Sequence, residues 1–204
     1  MFNSVFVSTT VTLLQLFTSS LAGYAFGRGT FKGRDAIFWV FMGTMMVPGT
    51  VTIVPAFLLL SKLGWVDSYW ALIIPPATST FGTFLCRQSF KSIPRDYDDA
   101  AKIDGASLFG TYRRILLPLI MPTLATLATL TFLGQWNSFM WPLIMTNSAE
   151  MRTLTVGLTT LVVREGGAGV SMASATLAFL PTFTVFLFMQ RYVVQGITLS
   201  GVKG

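Results

Sequence analysis

The chain has 204 residues, 52% of them hydrophobic and only 11% charged, with a net charge of +6. Water-soluble domains carry about 25% charged residues, so this composition selects the bilayer as solvent and the class of integral membrane proteins. One cysteine (Cys86) and no histidine exclude an internal disulfide, a His-held haem, a Cys/His metal site and a Ser/His triad.

The net positive charge is not gathered into a basic block with interleaved aromatics, which argues against a nucleic-acid partner. The chain contains no Gly-Lys pair, hence no phosphate-binding G-x-x-x-x-G-K-[ST] loop. On its own residues it is expected to be neither an enzyme nor an ATPase, and to hold no metal.

Five segments are apolar enough to span a hydrocarbon core, which takes roughly 20 helical residues: 4–26, 36–60, 69–85, 119–145 and 172–193. None holds Asp, Glu, Lys or Arg except Arg191, placed at a helix end where it can snorkel. Arg28, Lys32 and Arg34 lie between the first two segments. Six more bases, from Arg87 to Arg114, lie between the third and fourth, and Arg191 and Lys203 follow the fifth. The opposite side has only Lys62, Arg152 and Arg164. This asymmetry predicts a multi-pass protein with the long middle loop and the C-terminus in the cytoplasm. Five spans would then leave the N-terminus outside with no signal peptide, so a preceding span is expected to be missing, either cut away or lost to a late start codon.

Pro48, Pro55, Pro75, Pro76, Pro122, Pro142 and Pro181 punctuate the segments. Prolines bend membrane helices, which suits a path that opens and closes, but they are also common in such helices generally. Gly23 and Gly27 form a G-x-x-x-G, a pattern that permits close helix contact.

The polar middle stretch, DDAAKIDGASLFGTYRRILLP from Asp98 to Pro118, reads as two short helices outside the membrane. Pro94 suits a first helical turn, Asp96, Asp98 and Asp99 complement the helix dipole, Gly105 offers a left-handed stop, and Ser107 offers the next cap. A helix of about 11 residues is marginal in water alone. The segment is a solvated linker or a docking element, and its defined caps and small Ala100-Ala101 face favour docking.

At this stretch the chain resembles a known family. Asp99-Ala100-Ala101, three residues, Gly105, nine residues, then Ile115-x-Leu117-Pro118 is similar to the EAA loop of ABC-importer permeases, with Asp99 standing where the pattern has Glu. The runs QWNSFMWPL (135–143) and RTLTVGL (152–158) and the ending Gly201-Val202-Lys203-Gly204 resemble the carbohydrate branch, in particular the smaller permease of the maltose-importer type.

The resemblance implies a single transmembrane domain over 1–204, N-terminally short of the family's usual six spans, with a coupling loop at 94–118. It implies a bacterial inner-membrane location and, as partners, a second homologous permease, an ABC ATPase dimer that uses the ATP, and an extracytoplasmic solute-binding protein. No cofactor is expected on this chain itself. Asp99, Ala100, Ala101, Gly105, Ile115, Leu117 and Pro118 become the ATPase-coupling residues. Gly201 to Gly204 become a tail reaching the ATPase interface, or else a frayed terminus. Segment 146–171 becomes a loop facing the binding protein. Gln135 and Asn137 either line the solute path, with Trp136 or Trp141 stacking on sugar, or bond between helices, and the second reading is preferred. A glycerol-phosphate permease is not separable from a sugar permease by these motifs. A secondary transporter lacks support, because no ionisable group lies inside the spans.

Overall fold

The first apolar run folds as one unbroken helix, α1 (Phe2–Arg28), and its residues are distributed inside out. Ser4, Ser8, Thr12, Gln15 and Ser19 recur every three or four residues and are buried, whereas Phe2, Val5, Leu13 and Phe17 are exposed. Residues three and four apart share a helix face, so most of the polar side chains of α1 are on its buried face, beside Val7 and Val11. A surface helix in water shows the reverse. In a bilayer lipid solvates the Phe and Leu side chains, and small hydroxyl residues let helices approach closely. Thr123, Thr126 and Thr129 are likewise buried. The burial pattern therefore agrees with composition on the solvent.

The computed structural model describes the backbone of residues 1–201 and the side chains of residues 1–187. All regular structure among them is helical. After α1 come α2 (Arg34–Gly43), α3 (Gly49–Lys62), α4 (Tyr69–Ile73), α5 (Thr80–Ser92), α6 (Asp96–Ile103), α7 (Leu108–Thr111), α8 (Leu117–Leu119), α9 (Met121–Trp136), α10 (Met140–Met145), α11 (Leu154–Glu165) and α12 (Ala168–Gly201).

Prolines set most of the breaks. Val47 takes extended backbone (φ −84°, ψ 115°), as a residue before proline does, and α3 begins only after Pro48. Segment 69–85, expected as one span, comes apart: α4 ends at Ile73, Pro75–Ala77 make a 3-10 turn, and α5 restarts at Thr80 and runs on to Ser92. The Ser79 hydroxyl accepts the Gly82 N–H at 2.9 Å and caps that restart. Segment 119–145 divides into α9 and α10 around residues 137–139. Among the described residues, two helices are long and apolar enough to cross a bilayer unbroken, α1 and the Ala168–Leu187 part of α12. Two bent pairs reach that length together, Arg34–Met46 with Gly49–Lys62 and Leu108–Leu119 with Met121–Trp136. Hydropathy averaged along the chain sees the apolar runs but not where proline stops a helix.

The chain forms two compact units, interleaved in sequence. One comprises Met1–Leu14, Pro48–Ala77 and Thr129–Gln190, around a core that includes Val7, Val11, Leu60, Leu72 and Met145. Here the Trp141 indole N–H donates to the Ala71 carbonyl at 3.0 Å.

The other contains Gln15–Val47 and Thr78–Ala128, with Cys86, Phe90, Tyr112, Leu116, Ile120 and Leu127 at its centre. Its α1 portion lies against α5 through the two glycines singled out by spacing. A Cβ on Gly23 would sit 2.5 Å from Cys86 Cβ, and one on Gly27 would sit 3.3 Å from the Arg87 carbonyl oxygen. The G-x-x-x-G is thus a true contact surface.

Candidate functional site

The loop between α5 and α9 is built by local capping. Helix α6 starts with Arg95 as N-cap and has Asp96, Asp98 and Asp99 in its first turn, where carboxylates oppose the helix dipole favourably. Pro94, expected inside that turn, stands one residue ahead of the cap. At the other end Gly105 has φ +72°. The Gly105 N–H donates to the Lys102 carbonyl at 3.0 Å and the Ala106 N–H to the Ala101 carbonyl at 2.9 Å, the paired bonds of a Schellman stop. The Ser107 hydroxyl then accepts the Gly110 N–H at 3.1 Å and caps α7. A π-helical turn (Tyr112–Leu116) leads to α8. Leu108–Leu119 and Met121–Trp136 are bent by 76° where they meet.

One face of this loop is fixed to its own chain. Ala101 is buried, and Asp98, three residues earlier on the same face, lies 3.0 Å from Arg28 at the end of α1. The two side chains are only 4% (Arg28) and 15% (Asp98) exposed. The contact is one of charge, since Asp98 Oδ2 has no well-aligned hydrogen-bond donor. Arg28 also donates to the Ile93 carbonyl. Tyr24 donates to the Leu108 carbonyl at 3.2 Å, and Ser20 and Tyr112 share a hydrogen bond of 2.8 Å. Removing one member of a buried ion pair leaves the other charge uncompensated, at a cost of about 3–5 kcal/mol.

The opposite face is open. Ala100 is exposed, and Ile103, three residues on, is 87% exposed; Leu108 and Phe109 are 78% and 59% exposed. Asp99 is exposed beside them. Lys102 donates to Asp99 Oδ1 at 2.9 Å, and that hydrogen bond, together with the ammonium charge, holds the Asp99 carboxyl below the usual carboxylate range. Of the sequence-predicted coupling residues, Asp99, Ala100, Gly105 and Pro118 are thus on the surface, Ala101 faces inward, and Ile115 and Leu117 are half-buried against the core that holds Tyr112 and Leu116.

Elsewhere the predicted residues separate. Gln135 is half-buried, and Asn137, just past α9, is exposed and donates to the Leu133 carbonyl in the last turn of that helix at 2.8 Å. Trp136 is buried; its carbonyl accepts from Thr155 at 3.2 Å and its indole N–H donates to the Ala178 carbonyl at 3.4 Å. Its ring therefore offers no open face for a sugar. Gly166 and Gly167, with φ +67° and +84°, form the turn between α11 and α12. Gly201 ends α12; Val202, Lys203 and Gly204, like the Arg191 side chain, lie outside the described residues.

Asp67, which sequence reading passed over, organises the start of segment 146–171. At φ +61°, its Oδ1 accepts from the Asn147 and Ser148 amides at 2.9 and 3.0 Å and from the Ser148 hydroxyl at 3.1 Å. These bonds, the Asn147 amide first, hold its carboxyl below the usual range. The only available signal was an acidic residue in an otherwise apolar turn.

A chain whose regular structure among the described residues is helical, with an inside-out first helix and a capped polar loop between apolar segments, is a polytopic membrane protein. Residues 16–199 match the family described as binding-protein-dependent transport system inner membrane component, and the chain belongs to it. It is therefore a transport permease component. It is 40% identical, over 100% of its length and 73% of the relative, to the arabinooligosaccharides transport system permease protein AraQ of Bacillus subtilis. It is 34% identical, over 98% of its length and 72% of the relative, to the sn-glycerol-3-phosphate transport system permease protein UgpE of Yersinia enterocolitica. In fold it matches a chain of a bacterial ABC transporter that imports the acidic polysaccharide alginate, with TM-score 0.74 and 24% identity over 98% of this chain and 73% of that one.

Proposed function

We propose that this chain is a permease subunit of an ATP-driven importer for a carbohydrate, and that α6 with the Gly105 turn is its docking element for an ABC ATPase dimer. The observation that carries the reading is the two-faced loop. Its Asp98 and Ala101 face is fixed to the chain's own helices, while Ile103, Leu108 and Phe109 stand exposed beside Asp99 on a polar stretch outside the apolar spans. Exposed apolar side chains clustered among polar ones fit a protein groove. The ATPase subunits use the ATP, and this chain binds no cofactor. A second homologous permease completes the translocation path. A solute-binding protein delivers cargo from outside near 146–171, and the C-terminus is on the cytoplasmic side. The AraQ relative supports a carbohydrate as cargo, and the UgpE relative favours a small phosphorylated polyol as the second reading.

The test is co-purification of the tagged chain with its co-expressed ATPase and partner permease, beside an Ile103→Glu/Leu108→Glu version. Both residues are exposed, so folding and the permease–permease contact are expected to persist while the ATPase is lost. An ATPase that stays with the variant at the parent level, or never accompanies the parent, overturns the proposal. Uptake of labelled arabinooligosaccharide against labelled glycerol phosphate in vesicles then separates the two cargo classes.

A further inference from the structure

Helix α6 can pass a displacement to the rest of its unit by two kinds of route, and they differ in stiffness. The covalent routes both run through joints. Toward α5 the chain goes through Ile93 in extended backbone (ψ 134°) and Pro94. Toward α9 it goes through the left-handed Gly105, a π-helical turn and the 76° bend. Neither is a continuous helix.

The third route is made of side chains. Ser20, Tyr24 and Arg28 follow one another at four-residue intervals on α1, so they share one face of an unbroken helix. Each grips the loop at a different level. Arg28 holds Asp98 and the Ile93 carbonyl, Tyr24 holds the Leu108 carbonyl, and Ser20 holds the Tyr112 hydroxyl. The aromatic rings of Tyr24 and Tyr112 lie 5.2 Å apart and add a packed contact between the polar ones. Asp98 therefore has a different duty from its neighbour Asp99. Asp98 turns inward to α1, whereas Asp99 is exposed and paired with Lys102 of its own helix.

We propose that Arg28 and Asp98 are positioning residues that make α6 and α1 one moving part, so that displacement of α6 by its partner is delivered into α1. The inference rests on the docking function proposed above. Burying a charge pair is a poor way to gain stability, but in some proteins such a pair sets the register between two elements, and a transmitted movement requires a fixed register.

The experiment uses the complex with ATPase and partner permease in lipid nanodiscs and in proteoliposomes. It reads two quantities: ATPase recovered with the permease, and solute transported per ATP hydrolysed. Arg28→Met and Asp98→Asn alone each leave one buried charge unpaired, so both assembly and coupling fall. The double variant removes both charges, and assembly returns to the parent level while transport per ATP stays at least fivefold low. A purely structural clamp would recover both quantities in the double variant, and that result overturns the proposal. Tyr24→Phe, which removes only a hydroxyl, is the arm that decides if the double variant does not assemble. A two- to threefold loss of transport per ATP supports the proposal, and an unchanged ratio overturns it. If the parent itself recovers no ATPase, the docking function fails first and the inference falls with it.

Discussion

Gly23 and Gly105 are both needed as glycine, for unrelated reasons. Gly23 has an ordinary helical backbone but no room, with Cys86 Cβ at 2.5 Å and the Arg87 nitrogen at 2.9 Å from any added Cβ. Gly105 has room on every side and an unusual backbone, φ +72°. Gly23→Ala is therefore expected to push α1 off α5 and cost about 1–3 kcal/mol through overpacking. Gly105→Ala should cost only about 1 kcal/mol, the strain of the left-handed conformation. Thermal unfolding in detergent orders the two, and Gly105→Asn, better tolerated at such a site, should fall below Gly105→Ala. Asp67 makes a separate prediction at this scale. Its folded pKa lies below the unfolded value of about 3.9, so the stability it contributes is present above that value. It is lost as pH falls through the depressed folded one. Protection of the Asn147 and Ser148 amides against hydrogen exchange should be flat from neutral pH down to about pH 5 and fall below it, and Asp67→Asn should remove the step.

Helices show which parts of this molecule were legible in its sequence. The α6 stop at Gly105 and the α7 cap at Ser107 were legible because both motifs are local, decided by two or three neighbouring residues. Accordingly, Ser107→Ala is expected to cost about 1 kcal/mol, read as faster amide exchange at Gly110 and Thr111. The end of the third span was not legible, because hydropathy follows apolar content while Pro75 and Pro76 decide helix continuity. The Arg28–Asp98 pair was beyond reach for another reason. Its members are 70 positions apart, and nothing local distinguishes Asp98 from Asp99 until packing turns one inward. The polar stripe of α1 could have been read from Ser4, Ser8, Thr12, Gln15 and Ser19, since their spacing is helical, yet a moment calculated as for a soluble helix would assign them to the outside. Ser8→Leu tests that reversal. It places bulk on a buried face and should destabilise by about 1–3 kcal/mol, whereas Leu13→Ile on the exposed face should be neutral.

At the scale of the whole molecule the distribution of bases argues for one sidedness. Moving lysine and arginine across the bilayer is disfavoured, so short loops rich in them stay in the cytoplasm. The loop that holds α6 carries Arg95, Lys102, Arg113 and Arg114, whereas the stretch from α10 to α12 has only Arg152 and Arg164. The molecule also supplies a clean background for testing this, because its one cysteine, Cys86, is fully buried and the parent is expected to resist a bulky maleimide. A reporter cysteine at Ile103, 87% exposed on α6, should be labelled by a membrane-impermeant maleimide in inside-out vesicles but not in intact spheroplasts. A reporter at Glu150, exposed in the loop after α10, should show the opposite. Labelling of both from the same side would mean an even number of crossings between them, and α6 could dock on a cytoplasmic ATPase only if Glu150 were cytoplasmic too. Labelling of Ile103 from outside would be worse for the proposed function, because no ATP-driven partner could reach the loop at all.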